Sequence, residues 1–336
     1  MRPYWRITFA IGLCALACTQ PGLAQATPPT ILTIDLDNFV IYQADIPDAT
    51  KFGTNPNVTP SAILGINDFF VETLLADIVA VNGQPAKGLY AARGQTIKTS
   101  PAPTPGSAIA DTTHNSIRQQ VFEILKNDGT PVGTIIALGL SAGPAPPGAP
   151  AQTTGNWAIV GGTGAFLGAR GQVGNGGNAV ALRSASMAED PSNRRVDGGG
   201  KSRWVLTVIP MYVPQVVSTA DGPAVTHSSD FSLVSASKPA SSGEILSLFA
   251  NGLGPTFPGV DPSQPFPSAP LAVVNSPVQV TVNGNSSQVL AAVGFPGAVD
   301  AYQVNFQVPP GTAKGPATVQ LSAAWITGPA VTIQVQ

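Results

Sequence analysis

Reactive and charged side chains are scarce in this chain. Its 336 residues hold two cysteines, two histidines and only 10% charged residues, for a formal net charge of −2. Both cysteines, Cys14 and Cys18, lie near the N-terminus. If that segment is removed on export, the mature chain keeps no disulfide, no thiolate nucleophile and no cysteine-based metal site. No basic stripe or aromatic-interleaved patch points to nucleic acid. Past the N-terminal segment no stretch approaches 18 uninterrupted apolar residues, so no membrane span is expected. Metal constellations and phosphate loops are also missing, and no cofactor is expected.

What is present begins with an export signal. Arg2 and Arg6 precede an apolar run from Ile7 to Cys18, and Ala24-Gln25-Ala26 forms an A-x-A cleavage site. This reads as a secretory signal peptide over residues 1–26, which implies a secreted, periplasmic or cell-surface protein. Lipoprotein processing at Cys18 is the alternative, behind a poor lipobox at Ala15-Leu16-Ala17. The chain holds 36 glycines and 33 prolines, roughly a fifth of its length against a typical ~12%. With 43% hydrophobic residues, that composition predicts an all-β fold with many turns. Beyond residue 215 the only cations are Lys238 and Lys314, against Asp221, Asp230, Glu244, Asp261 and Asp300. The shift places a domain boundary near Pro210–Pro214, dividing the chain into 27–214 and 215–336.

Two catalytic-looking motifs fail on their surroundings. Gly155–Gln172, GNWAIVGGTGAFLGARGQ, opens like a dinucleotide-binding turn, but such a turn needs a following helix. Here Gly168, Gly171, Gly174, Gly176 and Gly177 follow, and each costs a helix interior about 1 kcal/mol. Gly139–Gly143 spells a G-x-S-x-G elbow, yet Pro144, Pro146 and Pro147 rule out the helix that the serine needs. The stretch fits better as two β segments, Trp157–Val160 and Ala165–Arg170, joined by a glycine-rich turn. Residues 31–42 alternate, with Ile34 and Leu36 on one side and Asp35 and Asp37 on the other. Asn67–Val81 is open between helix and strand. Asn127-Asp128-Gly129-Thr130 predicts a hairpin between Ile117–Lys126 and Val132–Leu140. Ala179–Met187 reads as a strand, Ala188–Lys201 as an exposed charged loop, and Arg203–Pro210 as a closing strand.

VGGTGAFLGARGQ resembles the signature of dirigent proteins, with Val160, Gly161, Gly162, Thr163, Gly164, Phe166, Ala169, Arg170 and Gly171 in register and Gln172 in place of an aromatic. Lys87–Gln95, KGLYAARGQ, is similar to another stretch of that family, with Gly88 and Tyr90 matching. The resemblance implies an eight-stranded β-barrel whose lumen binds a small apolar or phenolic molecule and steers its coupling or cyclisation. It also implies a homotrimer. Asp35 and Asp37 then become candidate proton donors facing the lumen, where burial desolvates a carboxylate. Tyr90, Phe166 and Arg170 become candidate ligand-binding residues, with a structural ion pair from Arg170 to Asp35 or Asp37 as the plainer role.

Residues 216–336 show seven short β runs: Phe231–Ala236, Glu244–Ala250, Val278–Val282, Gln288–Val293, Ala301–Val308, Ala317–Ala323 and Ala330–Val335. Asn283-Gly284 marks a hairpin turn. This pattern suggests an Ig-like β-sandwich. GEILSLFANGLGP, VQVTVNG and YQVNFQVPPGTAKG resemble an Ig-like domain appended to secreted proteins of soil bacteria, which implies an interaction or spacer module. Two functions compete. One is a ligand-steering barrel; the other is a non-catalytic matrix protein that binds polysaccharide or other secreted chains. A side-chain-filled lumen favours the second.

Overall fold

The computed structural model describes residues 28–45, 69–97, 114–140 and 156–336. The expected signal peptide, the proline-rich loop after residue 98 and Ser141–Gly143 of the G-x-S-x-G motif lie outside the described residues. Among the described residues all the regular structure is β apart from one short 3-10 turn, Pro191–Arg195.

Nine strands form the first unit: β1 Thr30–Asp45, β2 Phe69–Val81, β3 Gln84–Ile97, β4 His114–Lys126, β5 Pro131–Leu140, β6 Asn156–Gly164, β7 Arg170–Val180, β8 Arg183–Ser186 and β9 Gly200–Ile209. Eight of them close antiparallel in the order β2-β3-β4-β5-β6-β7-β9-β1, with β1 pairing back onto β2. Closure leaves no unpaired edge in that ring. β8 runs parallel to β1 from Val40 to Gln43, beyond the point where β9 meets Phe39 through Gly200.

Alternation sets which face is inside. Leu32, Ile34 and Leu36 on β1, Leu74, Ala76 and Ile78 on β2, and Trp204, Leu206 and Val208 on β9 are all buried in one cluster. Asn38 breaks the alternation with a φ of 51°. The register shifts there, and Phe39 joins Leu36 in the core. Of Asn67–Val81, the described part, Phe69–Val81, is strand, since its apolar residues keep period two. The Asn127–Thr130 hairpin forms as expected, closed by Gly129 N–H to Lys126 O at 2.9 Å.

The chain leaves β9 at Ile209 and enters a second unit at Gln215, where two sheets enclose one apolar core. Leu246, Leu248, Val304 and Phe306 line one sheet, and Val280, Val282, Val319, Leu321 and Ile333 the other. Six of the seven expected runs form strands. Phe231–Ala236 does not: Phe231 takes a φ of 55°, and only Leu233 makes an isolated bridge, to Thr226. At Asn283-Gly284 both residues have positive φ, 50° and 78°, as a tight hairpin requires.

Candidate functional site

The barrel lumen is where the sequence places its ligand, and aromatic rings fill it. Tyr90 stands 5.3 Å from Phe39, 5.0 Å from Phe122 and 5.4 Å from Trp204, centroid to centroid. Trp157 lies 5.2 Å from Trp204. Each of these rings is at most 2% exposed. Tilted pairs at these separations add about 0.5–1.5 kcal/mol each beyond area burial. Tyr90 is therefore lumenal, as the resemblance implies, but it is part of the packing. Its hydroxyl donates to Gln120 Oε1 at 3.1 Å, and burial pushes its phenol far above the ordinary range.

Polar groups gather toward the mouth from which the β3–β4 and β5–β6 connections leave. Arg118 donates to Glu72 through Nε at 2.6 Å and Nη2 at 3.0 Å. The two side chains are 15% and 2% exposed. Gln120 is fully buried between Arg118 and Phe122 on the inward parity of β4. The Nε2 of Gln120 and the Nε1 atoms of Trp157 and Trp204 have no hydrogen-bond partner among the described residues. Sequence reasoning missed this group. Its signal was parity: Glu72 falls in phase with Leu74, Ala76 and Ile78, and Arg118 and Gln120 with Phe122 and Ile124.

Asp35 and Asp37 sit on the outer face of β1, not in the lumen. Arg203 donates to Asp35 at 2.6 and 2.9 Å, and Lys201 stands 3.3 Å from Asp37. Having Leu32, Ile34 and Leu36 inside forces the intervening residues outward. Arg170 is also exposed and meets neither aspartate. It donates instead to the carbonyls of Val160 and Ala169, both at 3.0 Å.

The signature around Arg170 works as a turn-and-plug device. Ala165–Arg170 is not a strand up to its last residue: Phe166 N–H bonds Thr163 O and Ala169 N–H bonds Phe166 O, which folds the segment into the β6–β7 turn. Phe166 is 1% exposed and closes this end of the core. Gly171, at φ +137°, lies so close to β9 that a Cβ would stand 1.9 Å from Thr207 O. Gly164 takes φ +61°, where a Cβ would stand 2.5 Å from Val132 O.

The charged segment after β8 is a clamp, contrary to the exposed loop expected there. Glu189 accepts two bonds from Arg183 at 2.7 Å. Arg194 is 9% exposed; it donates to Asn38 O at 2.8 Å and to Asp77 Oδ1 at 2.7 Å. Asp77 also accepts from Arg195 and from Asn38 Nδ2. Desolvation raises the Asp77 carboxyl pKa, but the hydrogen bonds from Arg195, Arg194 and Asn38 outweigh it and hold it below the usual range.

A cleft of ≈ 530 Å³ opens between the β6–β7 turn and the second unit. Ala165 and Leu167 line it from the barrel, Tyr212 and Pro214 from the connection, and Gly252–Thr256, Phe266 and Tyr302 from the sandwich. Ala324 and Ile326 pack into the barrel's own apolar cluster beside it. No group of three or more metal-ligating side chains occurs among the described residues, and no helix there is long and apolar enough to cross a membrane.

No protein-family model and no curated relative matches the chain. Among solved structures, a polysaccharide lyase is similar at 7% identity and a TM-score of 0.17. The match covers 95% of this chain and spans 41% of that one's length. At that TM-score the likeness carries no argument. The dirigent resemblance rests on the motif residues alone.

Proposed function

We propose that this chain is an exported, non-catalytic binding protein whose two β units attach to extracellular polysaccharide or neighbouring secreted chains. The supporting observation is the lumen occupied by Phe39, Tyr90, Phe122, Trp157 and Trp204. Ligand pockets of typical size need roughly 300 Å³ or more of open space, and these rings occupy the position a ligand would take. The proposed proton donors are ion-paired on the outer face. Co-sedimentation of the chain from Thr27 onward with insoluble polysaccharides tests the reading. Saturable retention of folded protein supports it; no retention on any polysaccharide or cell-wall preparation overturns it.

A second reading draws on the three unpartnered donors. A buried N–H without an acceptor costs about 1–3 kcal/mol, so Trp157 Nε1, Trp204 Nε1 and Gln120 Nε2, which have no partner among the described residues, each favour an added acceptor oxygen. A small phenolic or carbonyl ligand entering at the Glu72–Arg118 mouth supplies one, and an ordered water supplies the same bond. In this reading these donors, and not Asp35 or Asp37, hold the ligand.

A further inference from the structure

We propose that the cleft between barrel and sandwich binds an organic cation, an amine or quaternary ammonium head on an apolar body. Two largely buried rings, Phe266 and Tyr302, 7% and 5% exposed, line the cleft from the sandwich side. Phe266 and Tyr302 lie 5.1 Å apart at an interplanar angle of 56°. Both are fixed before any ligand arrives. Phe266 rests on Gly294, where a Cβ would stand 2.3 Å from the ring, and Tyr302 donates its hydroxyl to Gly254 O at 2.8 Å. Tyr212, 59% exposed, adds a third ring from the barrel side. Aromatic faces attract cations through their quadrupole, most strongly where several converge.

The two charged side chains that line the cleft are both carboxylates. Asp261 and Asp300 line the cleft, and no lysine, arginine or histidine does. Of the two cations beyond residue 215, Lys238 is engaged with Asp230 on another part of the sandwich. An anion entering the cleft would meet two carboxylates with nothing to offset them, whereas a cation meets both carboxylates and rings. Val260, Val299 and Ile326 give the walls their apolar character, which suits the body of the ligand. A volume of ≈ 530 Å³ falls in the usual range for small-molecule sites, roughly 300–1,000 Å³. This site is independent of polysaccharide attachment, and either proposal can fail alone.

Isothermal titration of the chain from Thr27 onward tests it with three probes of similar size: benzyltrimethylammonium, benzyl alcohol and benzenesulfonate. The cation is expected to bind at least about tenfold more tightly than the alcohol, with no saturable binding of the sulfonate. Asp261→Asn combined with Asp300→Asn is expected to weaken the cation about tenfold, and Tyr212→Ala about three- to fivefold. All three positions are exposed, and asparagine tolerates the positive φ of Asp300, so unchanged melting temperatures serve as the folding check. Absence of cation binding, equal binding of all three probes, or an unaffected double-aspartate variant would overturn the proposal.

Discussion

Phe166 and Gly171 show how a motif that looks catalytic is explained by packing. Phe166 closes one end of the barrel, and Gly171 lets β7 approach β9 within a distance that no side chain permits. Phe166→Ala is expected to cost about 3–5 kcal/mol, as large-to-small core changes do. Gly171→Ala is expected to cost at least ~2 kcal/mol from overlap with Thr207 O and from its φ; chemical denaturation reads both. The Glu72–Arg118 pair makes a contrasting case. Glu72→Gln leaves a guanidinium without its partner and should cost about 3–5 kcal/mol, whereas Glu72→Leu with Arg118→Met should recover most of that loss. If the double variant is as unstable as the single, the pair does more than fill the mouth of the barrel.

Among the elements, the clamp from Glu189 to Arg195 decides how the barrel responds to acid. The Asp77 carboxyl is held below its ordinary pKa, so its stabilisation is present above the unfolded value, about 3.9. That stabilisation is lost as pH falls through this value toward the lower folded one. The urea midpoint should therefore drop between about pH 5 and pH 3, and Asp77→Asn should flatten that drop while lowering the midpoint at neutral pH. Arg194→Ala should cost about 2–3 kcal/mol at pH 7, since it removes charged hydrogen bonds to Asn38 O and Asp77. Period-two alternation made most strands legible, β1 and β9 above all, because a half-buried strand writes its two faces into consecutive residues. The clamp was not legible. Its arginines serve a carboxylate on β2, more than a hundred positions away, and local sequence carries no mark of that partner. Asp35 and Asp37 misled for a related reason: alternation says that two faces differ, and only the neighbouring Leu32, Ile34 and Leu36 say which one is inside.

Over the whole molecule, the tight-turn end of the barrel docks on the sandwich through Ala165, Val213, Ala324 and Ile326, while the connections after β1, β3 and β5 leave from the opposite end. The composition anticipated the all-β fold. The cleft between barrel and sandwich was invisible in the sequence, since its walls come from five separate segments spread from Gly164 to Ile326 and no single stretch resembles a site. Function at this scale turns on whether the lumen is scaffold or pocket. Thermal unfolding of the chain from Thr27 onward, in the presence of soluble polysaccharides and separately of phenolics, addresses that most directly. A ligand at 100 times its dissociation constant adds about 2.7 kcal/mol. A shifted transition with at least one polysaccharide and none with any phenolic is the predicted result. A saturable upward shift with a phenolic, abolished by Trp204→Phe or Gln120→Leu, would contradict the filled-scaffold account and establish the barrel as the binding site.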